Sequence, residues 1–149
     1  MYAQDHSTLH VIPDERLFAD VVPRRAVAWL IDSVLIAAIT GALVPLTGFL
    51  ALFFLGGLYL VVGFLYRFLG LARASGTLGM RLVGLTFRTG TGQPIDGLTA
   101  FLHTLFYTLS MAFVVPQVIS VGLMVFSRAH QGLSDIVLGT ALVNRSAFR

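Results

Sequence analysis

The stretch SVLIAAITGALVPLTGFLALFFLGGLYLVVGFLY, Ser33 to Tyr66, decides the fold, because apart from two tyrosines it carries no ionisable side chain. About 20 apolar residues suffice to cross a hydrocarbon core, and this run is longer than one crossing needs. Val44-Pro45-Leu46-Thr47-Gly48 interrupts it, and proline and glycine both disfavour continuing a helix. The run therefore predicts two helices, about Ala26 to Leu43 and about Phe49 to Leu69, joined by a tight turn. The turn carries no charge, as expected of the translocated side, so the helices form a hairpin with both ends on one face.

Outward from that run, the whole chain fits a bilayer. Of its 149 residues 56% are hydrophobic and only 11% charged, which lies outside the range of soluble globular domains and leaves room for one domain. The net charge of +3 raises nucleic-acid binding as a reading, but all ten cations are arginines placed in the N-terminal arm or bordering the apolar runs. Orientation in a membrane accounts for that placement, and no nucleic-acid partner is expected. Residues 1–22 hold Asp5, Asp14, Glu15 and Asp20 against Arg16 alone and lack an apolar core, so they read as a flexible cytoplasmic arm and not as a signal peptide. Without cysteine there is no disulfide, thiolate nucleophile or cysteine-based metal site.

A second apolar run, Gly97 to Ser127, has only His103 and Tyr107 as titratable groups. As one helix it would extend about 46 Å, yet two full crossings need roughly 40 residues. Charge separates the alternatives. A single crossing puts Arg128, Arg145 and Arg149 opposite Arg73, Arg81 and Arg88, whereas a break near Val114-Val115-Pro116 keeps every arginine on one side. The expectation is two short or tilted helices, about Gly97 to Phe113 and Pro116 to Phe126; three crossings with an external C-terminus is the competing topology.

Between the runs, Thr77 can cap a helical turn at Leu78 to Leu82, and Leu85-Thr86-Phe87-Arg88 alternates as a short strand. Thr89-Gly90-Thr91-Gly92 turns the chain, and Asp96 stands at an N-cap position. Leu138 to Val143 reads as a returning strand able to pair with Leu85 to Arg88. The fold class is thus an all-α membrane protein: four helical segments as two hairpins, with a small β or irregular cytoplasmic cap and both termini cytoplasmic.

Asp32 is the most informative residue. It lies seven residues beyond Arg25 on the same helix face, about 10 Å deeper in an apolar span. An intramembrane carboxylate faces the bundle interior, pairs, or is protonated, so Asp32 reads either as an ion-handling group or as half of a structural ion pair. The glycine-containing segment Gly79-Met80-Arg81-Leu82-Val83-Gly84 lacks the Lys-Ser/Thr of a phosphate-binding loop. No nucleophile motif, HExxH or acidic ligand cluster is present, so neither enzyme activity nor a cofactor or metal is expected.

Three blocks resemble the RDD family of small bacterial membrane proteins, named for one arginine and two aspartates: Arg24-Arg25-Ala26-Val27-Ala28-Trp29-Leu30-Ile31-Asp32, Ser75-Gly76-Thr77-Leu78-Gly79-Met80-Arg81-Leu82-Val83-Gly84-Leu85, and Gln131-Gly132-Leu133-Ser134-Asp135-Ile136-Val137-Leu138-Gly139-Thr140. The resemblance implies an RDD-like transmembrane domain over 23–149 in the bacterial inner membrane, with Arg25, Asp32 and Asp135 as the named trio and Arg24 and His103 as accessory residues. Met80 stands where the family often has lysine, Ser134 where it often has histidine, and His103 near a frequent arginine. The resemblance also brings in cation/proton antiport, proposed for family members. Because four short helices enclose little space, transport would call for a homo-oligomer or another membrane subunit; a non-transporting scaffold is the alternative. Within the trio, the expected geometry has Arg25 bridging Asp32 on one side and Asp135 on the other, with His103 making one interfacial hydrogen bond.

Overall fold

The computed structural model of the chain describes residues 14–127 and 129–148. A short helix α1 (Asp14–Phe18) leads through Asp20, in the left-handed region, into α2 (Val21–Leu46). Pro45 sits in the last turn of α2. The Thr47 hydroxyl donates to the Val44 carbonyl at 2.8 Å, and Gly48 takes φ +62°, a conformation that favours glycine. A 3-10 turn (Leu50–Phe54) then starts α3 (Leu55–Ala74), which packs back against α2. The break thus falls where the Pro-Gly pair places it.

Two helical stretches are long and apolar enough to cross a membrane, Arg16–Leu46 and Leu50–Ala74. On α2 the buried positions are Val21, Ala28, Asp32, Ile36, Thr40 and Val44, a stripe at spacings of seven and four, while Leu30 and Val34 are about 60% exposed. So much exposed aliphatic surface would be a liability in water and is what a lipid-facing helix presents.

The short elements between the apolar runs form as read. Thr77 caps α4 (Leu78–Leu82) by accepting from the Met80 amide, and Asp96 caps α5 (Gly97–Ala112) by accepting from the Thr99 amide at 3.0 Å. Strand β1 (Leu85–Thr89) pairs antiparallel with β2 (Thr140–Asn144), from Leu85 opposite Asn144 to Thr89 opposite Thr140. Alternation divides the faces of this ribbon. Leu85, Phe87 and Leu142 join Val21, Leu71, Ile95 and Ala100 in one core, whereas Ala141 and Val143 face Leu17 of α1.

Residues 14–22, placed in the arm on sequence grounds, are therefore two helical stretches joined by a turn, with Leu17 and Val21 buried. They fold because the second face of the ribbon needs a cover. The flexibility expected of residues 1–13 lies outside the described residues. Asn144 fastens the cover, donating from Nδ2 to the carbonyls of Arg16 (3.1 Å) and Ala19 (2.9 Å) while accepting from Arg24 Nη1 at 3.0 Å. Asn144→Ala should cost about 1–3 kcal/mol and speed amide exchange over Leu17 to Val21 in particular. Unchanged exchange in that segment would show that the Asn144 bonds do not hold α1.

The second apolar run also breaks. α5 and α6 (Val114–Phe126) meet at Phe113, whose backbone is extended, and bend by 117°. Pro116 lies within the first turn of α6 and does not begin it, a position where its missing N–H costs nothing. After α6, α7 (Leu133–Leu138) leads directly into β2, and a terminal 3-10 turn (Arg145–Phe148) follows.

Candidate functional site: two buried carboxylates and the cavity beside them

Asp135 lies in the first turn of α7 and is fully buried. Its Oδ2 accepts from Arg25 Nη1 at 2.7 Å and from the Gly132 amide at 2.8 Å; its Oδ1 is 2.6 Å from His103 Nε2. An ionised carboxylate only accepts, which makes Nε2 the proton-bearing nitrogen of His103 in this contact. Three elements distant in sequence, α2, α5 and α7, thus meet on one side chain. Phe87 of β1 packs beneath, with its ring 4.6 Å from the His103 ring and 5.9 Å from the Arg25 guanidinium carbon. Gly132 admits the approach, since a Cβ there would come within 2.4 Å of Met124 Cε and 2.8 Å of Ser120 Oγ.

Burial raises the pKa of Asp135, but the Arg25 charge, the His103 bond and the bond from Arg25 outweigh it and hold the carboxyl well below the usual carboxylate range. Asp96, at the exposed start of α5, is also lowered, through its bonds to Thr99.

Asp32 has separate partners. Oδ1 accepts from Tyr66 Oη at 2.6 Å and from the Gly79 amide at 2.9 Å, and Oδ2 accepts from Thr77 Oγ1 at 2.5 Å. The expected bridge therefore forms on one side only: Arg25 reaches Asp135, and no ion pair joins it to Asp32. The cause is Gly79. A Cβ at that position would lie 2.4 Å from the Ala28 carbonyl oxygen and 2.7 Å from Asp32 Oδ1, so only glycine lets α4 come close enough to serve Asp32 from its own first turn. Arg24, the accessory arginine, binds Asn144 away from both carboxylates. His103 is buried, and its Nε2 bonds Asp135.

Next to both clusters is a cavity of about 350 Å³, whose wall includes Arg25, Asp32, Arg67, His103, Tyr107 and Gln117. Arg67, on α3, lies over the Tyr107 ring at 4.8 Å and donates at 3.4 Å to the Gly63 carbonyl. Tyr107 in turn accepts from Trp29 Nε1 at 2.9 Å. Trp29, Arg67 and Tyr107 also line a smaller space of about 60 Å³, so they stand between two voids.

Two residues of the site, Arg67 and Tyr66, do not stand out in the sequence as functional. An arginine inside a span with no acidic residue within one helical turn was the available signal for the first. Tyr66 had none, because an aromatic near a helix end serves lipid or core equally well. Among the described residues no group of three or more His, Asp or Glu is placed to hold a metal ion.

Buried carboxylates that tie together helices with lipid-compatible outer faces define a helical membrane protein with a polar interior. The model of the RDD family matches residues 19–139, and the chain belongs to that family. Comparison with curated proteins and with solved structures returned no match.

Proposed function

We propose that the protein moves a small ion or solute across the bacterial inner membrane, with Asp32 as the coupling carboxylate. The observation that carries this reading is the cavity, because Asp32 forms part of its wall from within the apolar stretch of α2. The protein sits as two helical hairpins with both termini and the β1–β2 ribbon on the cytoplasmic side, following the arginine bias. It works as an oligomer, since a single chain of this size encloses little more than the cavity itself.

The coupling follows from bonding capacity. Ionised Asp32 accepts three hydrogen bonds and so holds α2 to Tyr66 of α3 and to Thr77 and Gly79 at α4. Adding a proton takes the remaining lone-pair position and removes the charge, so the three charge-assisted ties weaken. Loading Asp32 thereby loosens α2 against its neighbours. A carboxylate beside two hydroxyl oxygens is also a hard-oxygen set suited to an alkali cation, which supports cation/proton exchange as the form of transport.

Proteoliposomes carrying purified protein and a pH-sensitive dye test this. Wild type should couple an imposed cation gradient to proton movement, and Asp32→Asn should abolish it with insertion unchanged. Wild-type flux from Asp32→Asn would remove the coupling role. The alternative, a non-transporting scaffold or partner subunit, is favoured by one observation: both carboxylates already have three donors, as structural groups do. Copurification of a stoichiometric membrane partner, with no flux, would establish it.

A further inference from the structure

The charges around the cavity are not alike in what they leave free. Arg25 is bound to Asp135, and Asp32 accepts from three donors. Arg67 has five N–H donors, yet among the described residues it meets only the Gly63 carbonyl and the face of Tyr107, and no carboxylate. A guanidinium in an apolar span without a counter-charge is costly, and an anion binding beside it would recover that cost.

Apart from the Thr77 and Thr104 hydroxyls the rest of the wall is apolar, with Val22, Ala26 and Leu71 from α2 and α3 and Val121, Met124 and Val125 from α6. The cavity also has a side entrance. α6 packs on α5 and α7 but scarcely touches α2, which leaves a crevice between α2 and α6. Trp29 and Val125, both cavity-lining, are nearly half exposed on their respective helices.

We propose that this crevice binds an amphipathic carboxylate, with the carboxylate paired to the Arg67 guanidinium and the hydrocarbon chain lying between α2 and α6. Two parallel N–H donors match the two oxygens of a carboxylate, and a volume of about 350 Å³ falls at the small end of ordinary ligand sites. The ligand enters from the bilayer, where such molecules reside. This goes beyond the transport reading and does not depend on flux, because it concerns a bound ligand at Arg67 and not the ion at Asp32.

Trp29 is the chain's only tryptophan and lines the site, so its fluorescence reports occupancy. The full chain in phosphatidylcholine nanodiscs at pH 8 would be titrated with dodecanoate, dodecanol and dodecyltrimethylammonium. Dodecanoate should give a saturable change, and the alcohol and the cation should not. Arg67→Gln should weaken dodecanoate by at least about tenfold, the value of a charge-assisted hydrogen bond, with Arg67→Lys retaining more affinity than Arg67→Gln. Equal binding of dodecanol, or an unchanged affinity in Arg67→Gln, would overturn the proposal. Val125→Phe, at the mouth, keeps the test open if Arg67→Gln does not fold: it should also weaken dodecanoate, and wild-type affinity there would overturn entry through the crevice. Independence from transport is read in the same wild-type protein: saturable dodecanoate binding without cation-driven proton flux would keep this site and remove the transport reading, whereas flux without saturable binding would overturn the site alone.

Discussion

Asp135→Ala is expected to lower stability by about 3–5 kcal/mol, among the largest effects of any single substitution in this chain. The change leaves the Arg25 guanidinium buried without its counter-charge and His103 without its acceptor, and breaking a buried pair from one side costs more than the pair itself contributes. It also removes the bond that closes the first turn of α7 at the Gly132 amide. Thermal unfolding in a mild detergent, followed by Trp29 fluorescence, would read the loss. A double replacement, Arg25→Met with Asp135→Leu, should recover much of it, because apolar residues of similar volume impose no desolvation penalty. The exchange of Arg25→Asp with Asp135→Arg tests direct pairing by its recovery over either single change.

The same carboxylate sets an acid limit. Its folded pKa lies below its unfolded value of about 3.9, so its contribution is complete at neutral pH, begins to fall near pH 4, and is lost as pH drops through the folded value. Wild type should therefore lose melting temperature as pH falls below about 4 by a margin that Asp135→Asn does not show. Parallel curves for the two proteins would assign the acid sensitivity elsewhere.

Gly79→Ala is the second large effect, at about 3 kcal/mol or more. The added methyl must displace the Ala28 carbonyl or the Asp32 carboxylate, and either shift pulls α4 from α2 and strips Asp32 of the Gly79 and Thr77 bonds. Gly41→Ala in the same protein is the control. Nothing lies within 4 Å of a Cβ at position 41, in mid-helix, so that change should be neutral or stabilising by up to about 1 kcal/mol. Similar melting temperatures for the two variants would show that the close approach at Gly79 is not constraining.

What the sequence made legible is mostly local. Thr77 and Asp96 cap because a side-chain oxygen two or three residues ahead of a free amide is a short-range arrangement, and the break before α6 follows from Phe113-Val114-Val115-Pro116. The pairing of β1 with β2 was also readable, since two short alternating segments had no other partner. The partners of Asp32 were not. Arg25 on the same helix face was the obvious candidate, and what displaced it was a contact made possible by a missing side chain at Gly79, 47 residues away. Distance in sequence hid His103 in the same way: helical spacing says which face of α5 it occupies, but not that α7 brings Asp135 against that face. Arg67 escaped because it was counted among the arginines bordering the apolar run, whereas the helix continues to Ala74 and leaves it about two turns inside.

The separation between Arg25 and Asp135 bears on biogenesis. The two are 110 residues apart, and chains are made from the N-terminus. α2 and α3 can partition into the bilayer while Arg25 still has no acid to meet, and the strand that closes the ribbon, β2, emerges later still. Completion of the fold is therefore a late event that waits for the last part of translation. An insertion intermediate halted before Asp135 would carry Arg25 without its counter-charge, so the first hairpin reaches its final packing only once the last quarter of the chain has been made.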